Sequence, residues 1–156
     1  MHLSERQNVE ILVVDDTPEH LNEWCAAVEG IPGCSIRRAG SLAQAERELD
    51  EKPVDLLITD LFLSRESEGR ERLEEAEGLG LIERFRFACP NSRIIAISSR
   101  VGDGDAGAEA MDRGADDFIS SQWLDVYAKA LLEQKAKVFR SLLLRDRKKG
   151  NSGDAN

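Results

Sequence analysis

Ile11-Leu12-Val13-Val14-Asp15-Asp16 is a run of four apolar residues leading straight into two carboxylates. A short apolar run bounded by turn signals is the mark of a strand buried on both faces of a parallel sheet. Leu56-Leu57-Ile58-Thr59-Asp60 repeats the arrangement and ends in a third carboxylate. In an open parallel α/β sheet, functional groups collect at the carboxyl ends of strands, beside the point where strand order reverses. Side by side, the two strands bring Asp15, Asp16 and Asp60 into one small pocket. Like charges that close raise one another's pKa unless a cation neutralises them. Magnesium is the hard, oxygen-seeking ion that suits a few carboxylates together with phosphate and water.

Outward from these two segments, strand and helix signals alternate five times, as in a doubly wound α/β domain. The first strand is expected over Val9–Val14. A helix follows with Thr17 as N-cap and Pro18 in its first position, running to Glu29 before Gly30 and Pro32. A second strand is expected over Cys34–Arg38. Ser41 and Gln44 form a capping box that opens a helix to Asp50. The third strand is Val54–Thr59. Residues 64–78 hold six Glu and three Arg with almost no apolar side chains, and read as a mobile charged insertion. A helix over Gly78–Phe87 turns Leu79, Ile82 and Phe85 or Phe87 inward, and Arg93–Ile97 is the fourth strand. Gly102, Gly104 and Gly107 loosen the way to a short helix over Ala108–Arg113. Phe118–Ser120 is the last strand. A final helix begins near Ser121 and extends to Arg147, and residues 150–156 read as a disordered tail.

The chain has 156 residues, enough for one domain with a real core. No apolar run approaches the roughly 18 residues of a membrane span. The polar start, Met1 to Glu10, lacks a signal-peptide core, so a cytoplasmic setting is expected. Cys25, Cys34 and Cys89 are scattered, with only His2 and His20 beside them. They indicate neither a zinc site nor a disulfide framework, and three reduced thiols are expected. The net charge of −9 is unevenly spread. Within 135–149, Lys135, Lys137, Arg140, Arg145, Arg147, Lys148 and Lys149 face only Asp146, so the body is strongly acidic and the end of the last helix basic. An acidic body argues against nucleic acid as a partner of the domain face.

Four segments come in order, each at a strand end: ILVVDD at 11–16, LLITD at 56–60, IIAISS at 94–99 and GADDFIS at 114–120. With them the chain resembles, over roughly residues 8–134, the CheY-like receiver domain of two-component response regulators. The resemblance implies a flavodoxin-like fold: a doubly wound five-stranded parallel sheet with helices on both faces, here with an extended C-terminal helix. It implies that Asp60 accepts a phosphoryl group from a histidine kinase or phosphotransfer protein. Asp16 corresponds to the direct Mg²⁺ ligand and Asp15 to its water-mediated partner, while Phe62 lends a backbone carbonyl. Ser98 corresponds to the switch hydroxyl and Phe118 to the aromatic coupled to it; Ser99 leaves space beside the phosphoryl group. The chemistry agrees, because phosphoryl transfer to a carboxylate needs positioning and neutralised charge more than acid–base help.

The sequence departs from the family at three places. The family's lysine after the last strand, commonly followed by proline, is replaced by Ser121 and Gln122. Ser64 stands where proline is usual, and 64–78 is inserted beside the site. Ser121 supplies no charge and suits a helix N-cap; Arg100 is better read as a solvated surface group than as a substitute for the lysine.

The last helix looks longer than a receiver needs. Leu124, Tyr127, Leu131 and Ala128 complete a sheet-facing stripe. Val138, Phe139, Leu142 and Leu143 then protrude, available to a homodimer, to another protein or to the start of an output domain. No output module follows, so a stand-alone receiver is expected, acting through a downstream protein partner. Two other readings remain open at this stage. One is a degenerate receiver that works as a phosphorylation-independent interaction module, suggested by Ser121. The other is a magnesium-dependent phosphotransfer enzyme on a similar fold, for which the chain offers few acid–base groups.

Overall fold

The computed structural model describes residues 7–63, 77–98, 104–120 and 126–154. Among these described residues five strands alternate with five helices: β1 (Val9–Val14), α1 (Pro18–Glu29), β2 (Cys34–Ala39), α2 (Leu42–Glu51), β3 (Leu56–Asp60), α3 (Glu77–Ala88), β4 (Arg93–Ser98), α4 (Gly104–Asp112), β5 (Asp117–Ser120) and α5 (Val126–Asp154). All strands are parallel, in the order β2-β1-β3-β4-β5. The chain steps from β1 outward to β2 and then back across to β3. The crevice where the order reverses therefore lies between the carboxyl ends of β1 and β3.

The period of two along each strand sends alternate side chains to opposite faces. Val9, Ile11 and Val13 of β1, with Leu56 and Ile58 of β3, meet α1 and α5. Leu12 and Val14, with Leu57, meet the other side, where α3 and α4 contribute Leu79, Ile82, Phe85, Ala106 and Ala110. Both faces of the central strands are covered, which is why their sequences are apolar without alternation. Ser41 caps α2 by accepting a hydrogen bond from Gln44 N–H (3.1 Å), and Gln44 Oε1 accepts from Gly40 N–H (2.6 Å). Thr17 precedes α1 as expected, but its side chain makes no capping bond. α4 begins at Gly104, four residues before the sequence places it, because two glycines do not forbid a helix that packs on a sheet.

Two readings of helix faces are corrected. Phe85 is buried and Phe87 is 92% exposed, so only the former serves the core of α3. On α5 the inward stripe is Ala128, Leu132, Ala136, Phe139 and Leu143, whereas Tyr127 is 81% exposed and Leu131 lies at the edge. The stripe follows the steps of three and four that define a helix face, and the small alanines allow close approach to the sheet. Ala128 faces the core as expected, whereas the larger Tyr127 and Leu131 each lie one residue off the buried face. Phe139 and Leu143 accordingly do not protrude; they belong to the core that α1 and β1 share. Leu142 packs beside them, and of that expected protruding group only Val138, 57% exposed, faces outward. Leu124, expected on the same stripe, falls outside the described residues.

A 29-residue helix is about 43 Å long and a six-residue strand about 20 Å, so α5 traverses the whole sheet. Its far end is clasped at the opposite pole. Arg147 donates to Asn8 O (2.9 Å) and pairs with Asp55 (2.8 Å), while the Arg93 guanidinium lies over the Phe139 ring at 5.9 Å. The helix also continues past Gly150 to Asp154, into the stretch expected to be a disordered tail. Extending a helix that is already nucleated needs only propagation, and a glycine costs it about 1 kcal/mol. Among the described residues no helix is long and apolar enough to cross a membrane. The three cysteines are free, as expected.

Candidate functional site

β1 and β3 pair in parallel, with Val14 opposite Thr59. The residues just beyond, Asp15 and Asp16 on one strand and Asp60 on the other, therefore emerge at the same edge. One carboxylate oxygen from each lies within 4.8 Å of the others. Asp15 is 2% exposed and Asp60 4%, so two of the three charges sit in a nearly closed pocket.

Asp60 is the more perturbed. Burial pushes its pKa well above the ordinary carboxylate value, and the neighbouring Asp15 and then Asp16 push the same way; the Phe62 N–H, 3.4 Å from Oδ1, opposes them. Asp15 is also raised by burial, against the pull of three neighbours: the Thr17 N–H, His20 and the Trp24 indole. Thr17 N–H donates to Oδ1 (2.9 Å), Trp24 Nε1–H donates to Oδ2 (3.1 Å), and His20 Nδ1 is 4.0 Å from Oδ2. Asp15, rather than Thr17, is thus the side chain that holds the turn into α1. A buried group of acid oxygens with raised pKa values is the donor set a small hard cation relieves. The residues present fit magnesium on that ground.

The surrounding backbone is shaped to the site. Gly78 N–H donates to Leu61 O (2.9 Å), and a Cβ at Gly78 would stand 2.3 Å from the Asp60 carbonyl oxygen. Only glycine lets the start of α3 press against the loop that leaves β3. Leu61 N–H donates to Ile97 O (3.0 Å), and Ile97 pairs with Asp60, so the fully buried Ser98 stands one step further toward the same edge. Ser98 in turn pairs with Ser120 on β5. Phe118 turns to the α4 side and packs where Gly107 leaves room: a Cβ at Gly107 would be 2.7 Å from its ring.

Asp15, Asp16 and Asp60 are brought together as expected, and Phe62, Ser98 and Phe118 lie on the elements that border them. Ser121, Ser99, Arg100 and Ser64 fall outside the described residues, as do 64–76 of the 64–78 insertion; its last two residues, Glu77 and Gly78, open α3 rather than a loop. Trp24 and His20 were missed by the sequence reading. The available signal was a tryptophan on the inward face of α1, whose indole N–H needs an acceptor when buried. A cleft of about 570 Å³ lined by Arg86, Arg93, Arg147, Asp55, Asp116 and Asp146 lies at the other pole, where β3, β4 and β5 begin. Each of its arginines is paired with one of those acids, which makes it a structural ion-pair network far from the carboxylate cluster.

Residues 11–125 match the model of the response regulator receiver domain. The chain belongs to that family. An NtrX-like response regulator of Rickettsia bellii is 28% identical over 130 residues, which is 83% of this chain and 25% of that protein. The alginate biosynthesis transcriptional regulatory protein AlgB of Pseudomonas putida is 30% identical over 109 residues, 70% of this chain and 22% of its own. This receiver domain thus spans about a quarter of the length of these curated relatives. A response regulator from Thermotoga maritima shares the fold with a TM-score of 0.67 at 22% identity, covering 86% of this chain and 98% of that one. Receiver domains serve two-component signalling and are generally not enzymes; response regulators work with histidine kinases and downstream partners.

Proposed function

We propose that this receiver domain accepts a phosphoryl group on Asp60 from a histidine kinase or phosphotransfer protein and relays the signal by protein–protein contact. The observation that carries the reading is the position of Asp60. It is a nearly buried carboxylate at the end of β3, at the crevice where strand order reverses, with carboxylate oxygens of Asp15 and Asp16 within 4.8 Å. Asp15, Asp16, Asp60 and the backbone carbonyl of Phe62 are the groups that would hold Mg²⁺. Bound there, the ion supplies positive charge that offsets both the carboxylates and the phosphoryl oxygens.

The chain's own residues supply the rest. Phe62 N–H orients the Asp60 carboxylate. The raised pKa of Asp60 means that the attacking carboxylate is disfavoured until charge is neutralised around it. Ser98 is the hydroxyl that would donate to a phosphoryl oxygen; its burial at the end of β4, one step beyond the partner of Asp60, supports this. Phe118, beyond it on β5, is the side chain through which that contact would reach the α4 side. The alternative of a phosphorylation-independent module draws on Ser121, which lies outside the described residues, and no specific observation favours it.

The test is intact mass after incubation with magnesium and a small phosphodonor. The wild type should gain one phosphoryl group and Asp60→Asn none. Absence of the gain in the folded wild type, or its persistence in the variant, overturns the assignment.

A further inference from the structure

We infer that Trp24 is a positioning residue for the carboxylate cluster: its indole N–H sets the plane of the Asp15 carboxylate and so tunes the affinity of the pocket for a divalent cation. The inference rests on the metal reading above. Trp24 is 1% exposed and sits on α1, nine residues beyond Asp15. Its Nε1–H is a donor with no acceptor capacity, and it donates to Asp15 Oδ2 at 3.1 Å within the buried interior. Thr17 N–H takes Oδ1 at 2.9 Å. Two donors on different oxygens fix a carboxylate in rotation about its Cβ–Cγ bond, which one donor leaves soft. The lone pairs that remain are held in one orientation relative to Asp16 and Asp60.

Packing reinforces the arrangement. The indole is 1% exposed and belongs to the core cluster that also holds Val13 and the α5 stripe, so swinging away from Asp15 would open a cavity. Hydrogen bonds to a ligating or outer carboxylate commonly govern metal affinity by about 10-fold to 100-fold. A cation also draws electron density from Asp15, which weakens the acceptor that the indole sees. Trp24 should therefore both shape the pocket and report on its occupancy.

The experiment uses the full chain with Trp123→Phe, which leaves Trp24 as the one indole, and magnesium chloride as probe. The ¹⁵N-labelled indole N–H resonance of Trp24 should move along a saturable curve whose midpoint equals the magnesium Kd from calorimetry. Adding Trp24→Phe should raise that Kd by about 10-fold. Val28→Ala, which loosens the same core without touching Asp15, should lower the melting temperature yet leave the Kd unchanged. An indole resonance that stays fixed through saturation overturns the role of Trp24, and this readout needs no change at Trp24 itself. So does an unaltered Kd in Trp24→Phe, or an equal loss in Val28→Ala. No saturable magnesium binding in the parent, or binding that survives Asp16→Ala, instead overturns the metal reading and the role of Trp24 with it.

Discussion

Replacing Asp60 by asparagine should make the protein more stable, although it removes the proposed phosphoacceptor. Asparagine keeps the shape of aspartate and can still accept the Phe62 N–H, but it carries no charge. Two unit charges 4.8 Å apart, the outer limit of separation in the cluster, repel by about 3.5 kcal/mol at an effective dielectric near 20 and by about 0.9 in bulk water. Asp60 is buried and faces two such neighbours, Asp15 and Asp16, and both burial and repulsion disfavour its charged form. Screening by water at the pocket mouth relieves part of the repulsion, so a net gain of about 2 kcal/mol at neutral pH is expected. For a chain of this size that is a rise of about 4–8 °C in melting temperature.

The pH dependence has a definite sign. The folded pKa of Asp60 is raised above its ordinary value of 3.8, so its favourable protonated contribution is complete below that value and is lost as pH rises through the folded pKa. The advantage of Asp60→Asn should thus be widest at neutral pH and shrink toward acid. Magnesium should narrow it as well: at ten times its Kd the ion stabilises the wild type by about 1.4 kcal/mol and the variant by less. Thermal unfolding followed by circular dichroism at pH 5 and pH 7.5, with and without magnesium chloride, measures all of this. An Asp60→Asn melting point equal to or below that of the wild type, at neutral pH without magnesium, would falsify the claim that the three carboxylates repel one another.

Truncation after Gln134 should unfold or severely weaken the domain, since it deletes Ala136, Phe139 and Leu143 from the core. Phe139→Ala alone should cost about 3 kcal/mol, read from urea midpoints, and a truncated chain with wild-type stability would show that α5 does not pack as described. Gly107→Ala should force the Phe118 ring out of its slot at a cost of about 1–3 kcal/mol, because the new Cβ would lie 2.7 Å from Cδ1. Aromatic proton shifts of Phe118 identical to wild type would rule that contact out.

How much of this was legible in the chain differs from element to element, for physical reasons. Val9–Val14 and Pro18–Glu29 come out with the bounds expected, because a strand buried on both faces and a helix with proline at its start have strong local signals. The carboxylate cluster was equally legible: a β-strand aims its end residues by its own geometry, so two such ends suffice once the strands are neighbours. Burial of residues on α5 was not legible. Tyr127, Leu131, Val138 and Phe139 all lie on helical spacings, and sequence alone does not say at what angle a helix crosses its sheet. The crossing is set by the alanines at 128 and 136 and by the Arg147 clasp to Asp55 and Asn8, contacts between residues more than ninety positions apart. Trp24 escaped for the same reason, since its acceptor is chosen only when α1 folds back along β1. The sequence by itself determined which residues are apolar, where the strands end in acid, and hence the family and the pocket. Only the tertiary structure decided which helix face is buried and which donors hold Asp15, because those depend on distances that no local rule sets.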